Sequence, residues 1–397
     1  MRAKAILVCA FLFCAALNVR ATTYKTLYTF NNSDGFTPFA GVIFDRAGNL
    51  NGVTPWGDIE GEGNEGSIFR LTPSQGGWKF GELHVFDLQD TEAAEPIGGL
   101  AADEAGNLYG TGTYVHGGSG ACSSLFEFSA SGEFSVLHYF YDVDGCDPEA
   151  ALTYSNGVLW GTTKGGGSTG QGTVFTMDTS GGSFQSFSFT GKKGSQPLSP
   201  FTLWGYGTSF AGGGKGQGNI YKLDAVQGFM NKYSFKADGK AGYAPMGDLL
   251  TLEVGGVRTI YGITTMGGIG GGGAIYRLTE VHPNSDKWRI KVLHSFSPDD
   301  GQGWAPLAGL IADSAGNLYG TTSRGGEGGW DCGTVFKLSP GRSANQWTHT
   351  ILYSFNADNW DGCYPAAGVA LDSDGNLYGT TQYGGEYWDG TVYEITP

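Results

Sequence analysis

One short phrase, repeated along the chain, constrains the fold more than any other feature. It reads Gly48-Asn49-Leu50-Asn51-Gly52, Gly106-Asn107-Leu108-Tyr109-Gly110, Gly157-Val158-Leu159-Trp160-Gly161, Gly316-Asn317-Leu318-Tyr319-Gly320 and Gly375-Asn376-Leu377-Tyr378-Gly379. Two degraded copies, Gly205-Tyr206-Gly207-Thr208 and Ile260-Tyr261-Gly262, bring the number to seven. The last glycines of successive copies are 58, 51, 46, 55, 58 and 59 residues apart. A second phrase follows across a Gly-rich stretch, clearest as Gly66-Ser67-Ile68-Phe69, Gly172-Thr173-Val174-Phe175, Gly333-Thr334-Val335-Phe336 and Gly390-Thr391-Val392-Tyr393. A third, such as Val292-Leu293-His294-Ser295-Phe296 or Ile351-Leu352-Tyr353-Ser354-Phe355, closes the unit. Repeats of this length are single supersecondary units that bury their apolar faces only by stacking on one another.

Each unit offers four short strands, labelled A to D. Around the sixth copy these are Leu307–Ala312, Leu318–Thr322, Thr334–Leu338 and Thr348–Phe355, alternating, rich in β-branched and aromatic residues, and bounded by Gly, Asp, Asn or Pro. The A–B link Asp313-Ser314-Ala315-Gly316-Asn317 reads as a tight hairpin: its Asp can accept backbone N–H bonds, and its Gly and Asn tolerate positive φ. No stretch keeps a helical period. Four antiparallel strands repeated seven times predict an all-β, seven-bladed β-propeller. A β-solenoid would need shorter, more uniform coils. The chain opens on a strand D phrase, Lys25–Phe30, and its last copy stops after strand C, so the N-terminal strand is expected to complete the last blade and close the ring.

The phrases Gly-Asn-Leu-Tyr-Gly-Thr-Thr, Gly-Thr-Val-Phe-Lys-Leu and Leu-Tyr-Ser-Phe resemble the bacterial GloVer tandem repeat, over essentially the whole chain after the leader. The copy around Gly207 diverges most. The resemblance implies export, since members are typically secreted or surface-linked. It brings no activity, catalytic residue or cofactor with it. Many members carry a C-terminal anchoring segment, whereas this chain ends on the blade.

Residues 1–21 read as a signal peptide ahead of one propeller domain over 22–397. Arg2 and Lys4 precede an apolar run from Ile6 to Leu17, and Val19-Arg20-Ala21 supplies a cleavage site. Twelve apolar residues are too few to span a bilayer, which needs about 20. A secreted or periplasmic protein that does not span the membrane is therefore expected. Its 38 acids outnumber 23 Lys and Arg, for a net charge of −15 that becomes −18 once the leader's three basic residues are gone. Such a surface repels phosphate backbones, which excludes nucleic acid as a partner.

The four cysteines beyond the leader fall on two repeat positions. Cys122 and Cys332 stand just before strand C, and Cys146 and Cys363 each stand in an Asp-Gly-Cys D–A link. In a four-stranded blade the B–C and D–A links share one face, so disulfides Cys122–Cys146 and Cys332–Cys363 are expected. The two pairs lie blades apart, so no metal set is expected from them.

The same face gathers aromatic residues unevenly. Trp304 and Trp330 feed the sixth blade, Trp360 and Trp388 the seventh, and Trp56 the first, which ring closure makes neighbours. Asp331, Asp361 and Asp389 lie among them, with Asp358 and Glu386. Flat apolar rings beside carboxylates suit sugars, which present C–H faces and hydroxyl rims. The competing reading is that these rings pack loops lacking any other core.

Other motifs lose their force in context. Gly61-Glu62-Gly63-Asn64-Glu65-Gly66 has the spacing of a dinucleotide fingerprint but no helix after it. Gly166-Gly167-Ser168-Thr169-Gly170 has that of a nucleophile elbow but precedes a strand. Asp372-Ser373-Asp374-Gly375-Asn376 starts like a Ca²⁺ loop, yet the equivalent Asp45-Arg46-Ala47-Gly48-Asn49 lacks the second acid, so a shared turn explains both. His84, His138 and His294 occupy the strand D position of Tyr353, which suggests packing or surface roles, and only His116 falls on the aromatic face. No catalytic constellation, metal site or cofactor emerges. The expectation is a monomeric binding module for an extracellular polysaccharide or an envelope protein. A carbohydrate-active enzyme on the same scaffold, or a purely structural spacer, are the alternatives.

Overall fold

The glycine that ends each repeated phrase is required by a close approach. A Cβ at Gly52 would lie 2.4 Å from the ring of Phe69 on the paired strand, and one at Gly320 would lie 2.8 Å from the ring of Phe336. The threonines after it face hydroxyls on strand C: Thr322 and Thr334 Oγ1 are 2.8 Å apart, and so are Thr381 and Thr391. The two phrases that recur in the sequence are thus the two strands of one antiparallel pair.

A computed structural model describes residues 22–397 except 58–64, 87–92, 116–119, 225, 238, 284, 328–329 and 344–345. The expected leader, His116 and most of the Gly61–Gly66 motif therefore lie outside the described residues. The described strands form seven antiparallel sheets in sequence order around a ring, a seven-bladed β-propeller. Blade six comprises Ile311–Ala312, Leu318–Thr322, Thr334–Pro340 and Trp347–Ser354, close to the segments read from the sequence, with strand A much shorter. In blade four the segment 199–202 stands where the innermost strand would run, outside three strands, Tyr206–Ser209, Asn219–Asp224 and Gly228–Ser234. Pro200 brings no N–H to a ladder there, and the segment is held instead by a turn, with Thr202 N–H on Tyr206 O and Gly205 N–H on Thr202 O (both 2.8 Å), and by the Ser199 hydroxyl, 2.8 Å from Thr208 Oγ1.

Blade seven is split as expected. Thr23–Thr29 pairs antiparallel with Thr391–Thr396, outside Leu377–Thr381 and Ala370–Leu371. The core lies between blades: Val335 and Phe355 of blade six pack with Leu377, Tyr393 and Ile395 of blade seven. Equivalent clusters join the other neighbours.

A second seam runs along the loop face. The residue before a proline in each D–A link, namely Thr37, Glu95, Asp147, Gln196, Ala244, Ala305 and Tyr364, has left-handed backbone. In six of these links its N–H bonds the preceding blade just before strand C, as in Tyr364 N to Cys332 O (2.8 Å). Across the closure Thr37 N bonds Asp389 O at 2.8 Å, and a Cβ at Gly390 would lie 2.7 Å from Pro38 Cδ.

Candidate functional site: an aromatic loop face

On the loop face, single β-bridges tie the D–A link to the B–C link of its blade in six of the seven blades, as in Phe36 to Trp56, Cys146 to Gly165, Trp304 to Arg324 and Cys363 to Tyr383. Both expected disulfides form beside these bridges, Cys122–Cys146 with Cα atoms 5.7 Å apart and Cys332–Cys363 with 4.4 Å. They hold the loops of blades two to three and six to seven.

The five tryptophans divide. Trp56 and Trp304 occupy bridge positions and are half-buried. The Trp56 ring lies 5.5 Å from Phe39 and 6.0 Å from Phe36, with its indole N–H 3.5 Å from Glu95 Oε1. Trp304 packs on the core between blades five and six and donates its indole N–H to Asp331 Oδ1 at 3.1 Å. These two are packing residues. Trp330, Trp360 and Trp388 are 53%, 56% and 44% exposed. Trp330 and Trp388, from the B–C links of adjacent blades, meet with centroids 6.5 Å apart and planes at 57°.

The three aspartates also separate. Asp361 is 5% exposed and does not belong to this surface. Its carboxylate accepts the Tyr353 hydroxyl and Asn356 N–H (3.0 Å), and burial raises its pKa above the ordinary carboxylate value. Asp331 stays accessible but organises its loop, accepting Trp304 and Gly325 N–H groups and lying 3.3 Å from the Arg324 guanidinium. Asp389, next to Trp388, is half-buried. Burial raises its carboxyl, a backbone bond at Asn32 works against this, and the nearby charge of Asp34 adds to the rise.

Backbone strain marks the same loops. Among the described residues, outside the seven pre-proline links, positive φ at non-glycine residues is confined to three hairpin turns (Asn156, Ser183, Asp286) and to Asp331 (56°), Trp360 (59°) and Trp388 (67°). Sparsely populated backbone at bulky residues gathers where surrounding structure over-determines it, commonly at ligand sites. Trp360 caps a short 3-10 turn, Ala357–Asn359, which the disulfide to Cys363 follows closely.

Sequence reasoning passed over Tyr364, Tyr383, Tyr387 and Arg324. Tyr383 and Tyr387 are exposed beside Trp388; Tyr364 and Tyr383 rings are 6.2 Å apart, and Arg324 sits 5.2 Å over the Tyr364 ring. The run Tyr383-Gly384-Gly385-Glu386-Tyr387-Trp388 carried that signal, three aromatics in one link. The histidines are outer-strand packing: His84 stacks on Phe134 at 4.0 Å, His138 on Phe184 at 3.8 Å and His294 on His349 at 4.2 Å. Asp372 accepts Asp374 and Asn376 N–H and the Asn376 amide, as Asp45 does with Ala47 and Asn49, so the Ca²⁺-like motif is a hairpin turn. Among the described residues no three His, Cys, Asp or Glu side chains converge as a metal-ion set, and no helix is long and apolar enough to cross a membrane.

Fold and loops together define a β-propeller that presents an aromatic surface at the junction of its sixth and seventh blades. The chain belongs to the Gloeobacter/Verrucomicrobia repeat family, whose model matches residues 111–282 and 205–397. No curated protein matches it. Among solved structures, a "putative 6-phosphogluconolactonase" from Bacteroides uniformis ATCC 8492 is similar at 14% identity and TM-score 0.49, over 79% of this chain and 84% of that one. Another so described, from Bacteroides fragilis NCTC 9343, is similar at 14% identity and TM-score 0.49, over 86% and 87%. The two disulfides are consistent with an oxidising compartment, extracellular or periplasmic.

Proposed function

We propose that this chain is an exported binding module that holds extracellular glycan on the aromatic surface of blades six and seven. The pair Trp330 and Trp388 carries the reading: two exposed indoles in contact, each in a strained loop, one beside a disulfide and the other beside the ring-closing seam. Large exposed aromatics cost hydration, and loops that hold them outward against that cost favour a ligand with an apolar face. Sugars supply that face, and Asp389 and Glu386 supply acceptors for their hydroxyls.

One observation favours a second reading, a carbohydrate-active enzyme. The Asp389 carboxyl is raised beside the aromatic pair, as a general acid requires. A glycan array run with a reducing-sugar release assay separates the readings. Binding without release supports the module, and release lost in Asp389→Asn supports the enzyme. An array with no bound glycan contradicts both and leaves a structural spacer.

A further inference from the structure

The charge of this chain is divided between sectors of the ring. Residues 192–291, which run from the link entering blade four to the outer strand of blade five, hold 12 of the 20 Lys and Arg beyond residue 21 and only 6 of the 38 acids. In a seven-blade ring this sector lies across from the acidic junction of blades seven and one. Charges separated by more than a Debye length, about 8 Å in physiological salt, are largely screened, so the sector presents its own positive field.

A cleft of about 480 Å³ opens in that sector, between the outer strands of blades four and five. Its walls are apolar, with Tyr233 on one side and Ile290 and Val292 on the other, and Ile269, 76% exposed, at its edge. Lys236 and Lys240, both exposed, line it from the blade four D–A link, and no ion pair engages either among the described residues. Two other cations of the sector are neutralised locally: Lys232 pairs with Asp286, and Arg258 with Glu280 at 2.9 Å. At the corresponding junctions aromatic pairs fill the space, such as Tyr28 on Phe80 (4.1 Å), His84 on Phe134 and Tyr353 on Tyr24 (4.1 Å). Here the incoming position is Ile290, whose side chain cannot cover an aromatic face as a flat ring does.

We propose that this cleft is a site for a small carboxylate with a flat apolar body, its ring entering between Tyr233 and Ile290 and its anion meeting Lys236 and Lys240. The volume lies within the range of small-molecule pockets. The site is separate from the glycan surface and does not depend on it.

Titration calorimetry with 2-naphthoate tests this on the whole chain after the leader. Acetate serves as an anion without the body, and 2-naphthylmethylamine as the same body with opposite charge. The expected result is saturable binding of naphthoate alone, weakened about tenfold or more by K236Q/K240Q. Ile269→Ser should also weaken it, while Arg324→Gln on the other sector leaves it unchanged. All these residues are exposed, so melting curves should confirm intact folding. No naphthoate binding, equal binding of the amine, or full affinity in K236Q/K240Q would overturn the proposal.

Discussion

The phenol ring of Tyr24 lies flat on that of Tyr353, centroids 4.1 Å apart and planes 9° from parallel. Tyr24 belongs to the first strand and Tyr353 to the outer strand of blade six, so the N-terminal segment does two jobs. It completes blade seven by pairing with Thr391–Thr396, and it fastens that blade to its neighbour. The Tyr24 hydroxyl also donates to the backbone carbonyl of Asp361, whose carboxylate holds Tyr353.

Removing residues 22–30 should therefore open the ring at two seams. The exposed edge of Thr391–Thr396 would pair with other chains. We expect a loss of cooperative unfolding or a fall in Tm above about 10 °C, together with aggregation visible in light scattering. A truncated chain that melts like the intact one would contradict this closure.

The disulfides predict a graded effect. Non-reducing peptide mapping should recover Cys122 linked to Cys146 and Cys332 to Cys363. Loss of Cys332–Cys363 in C332S/C363S should lower stability by about 2 kcal/mol, the low end for native bridges, because the closed loop lies within a scaffold already ordered by neighbouring blades. It should also weaken ligand binding at Trp360 and Trp388 more than C122S/C146S does.

Two half-buried imidazoles set an acid limit. Burial and the neighbouring His294 push His349 down to about 3, and burial lowers His294 with Asp300 opposing. The unfolded chain binds more protons than the native one between the ordinary imidazole value and that depressed one. Stability from this pair is thus fully present above pH 6.5 and is lost as pH falls towards 3. Tm measured between pH 7 and 4 should fall less steeply in His349→Phe, which keeps the stack without the titrating ring. Parallel slopes would exclude the pair as the cause.

Asp248 works in the opposite sense. It stands in the innermost segment of blade five, against Gly309 of blade six, where other blades carry Gly41, Gly99 or Gly368. Its side chain is exposed to water, yet the protein crowded around it desolvates the carboxyl enough to push it up to about 6. The native state then binds more protons than the unfolded chain between pH 4 and 6, so this group's contribution declines as pH rises through that window. Asp248→Asn should raise Tm by about 2 °C or more at pH 7.5 and leave it unchanged at pH 4. A decrease at neutral pH would show that the carboxylate is held by a partner.

Much of this architecture was legible because its constraints are local. Gly52 and Gly320 must be glycine to clear a ring, and Thr322 and Thr334 pair their hydroxyls across two strands, so the repeat shows in one dimension. The pre-proline latch was equally readable, at Pro38, Pro96, Pro148, Pro197, Pro245, Pro306 and Pro365, but no residue type announces left-handed backbone at Thr37 or Tyr364. The site was legible only to the level of a loop. Trp56 and Trp330 sit in equivalent links, yet a bridge turns one ring inward, while the other stays outside next to the left-handed Asp331 that follows it. Asp361 read as a surface acid because its partners, Tyr353 and Tyr24, come from two different strands.

The division among the tryptophans carries the most direct test of the binding surface. The measurement is titration calorimetry of the array-selected polysaccharide against the intact chain, W330A/W388A and W56A, each with its melting curve. Base-to-aromatic-type stacking losses on truncation amount to about 1–3 kcal/mol per ring in related recognition, so W330A/W388A should lose at least about tenfold in affinity with Tm unchanged. W56A should do the reverse, keeping affinity while losing about 1–3 kcal/mol of stability as a half-buried packing residue. Undiminished affinity in W330A/W388A, or a collapse of its Tm to match W56A, would contradict the account.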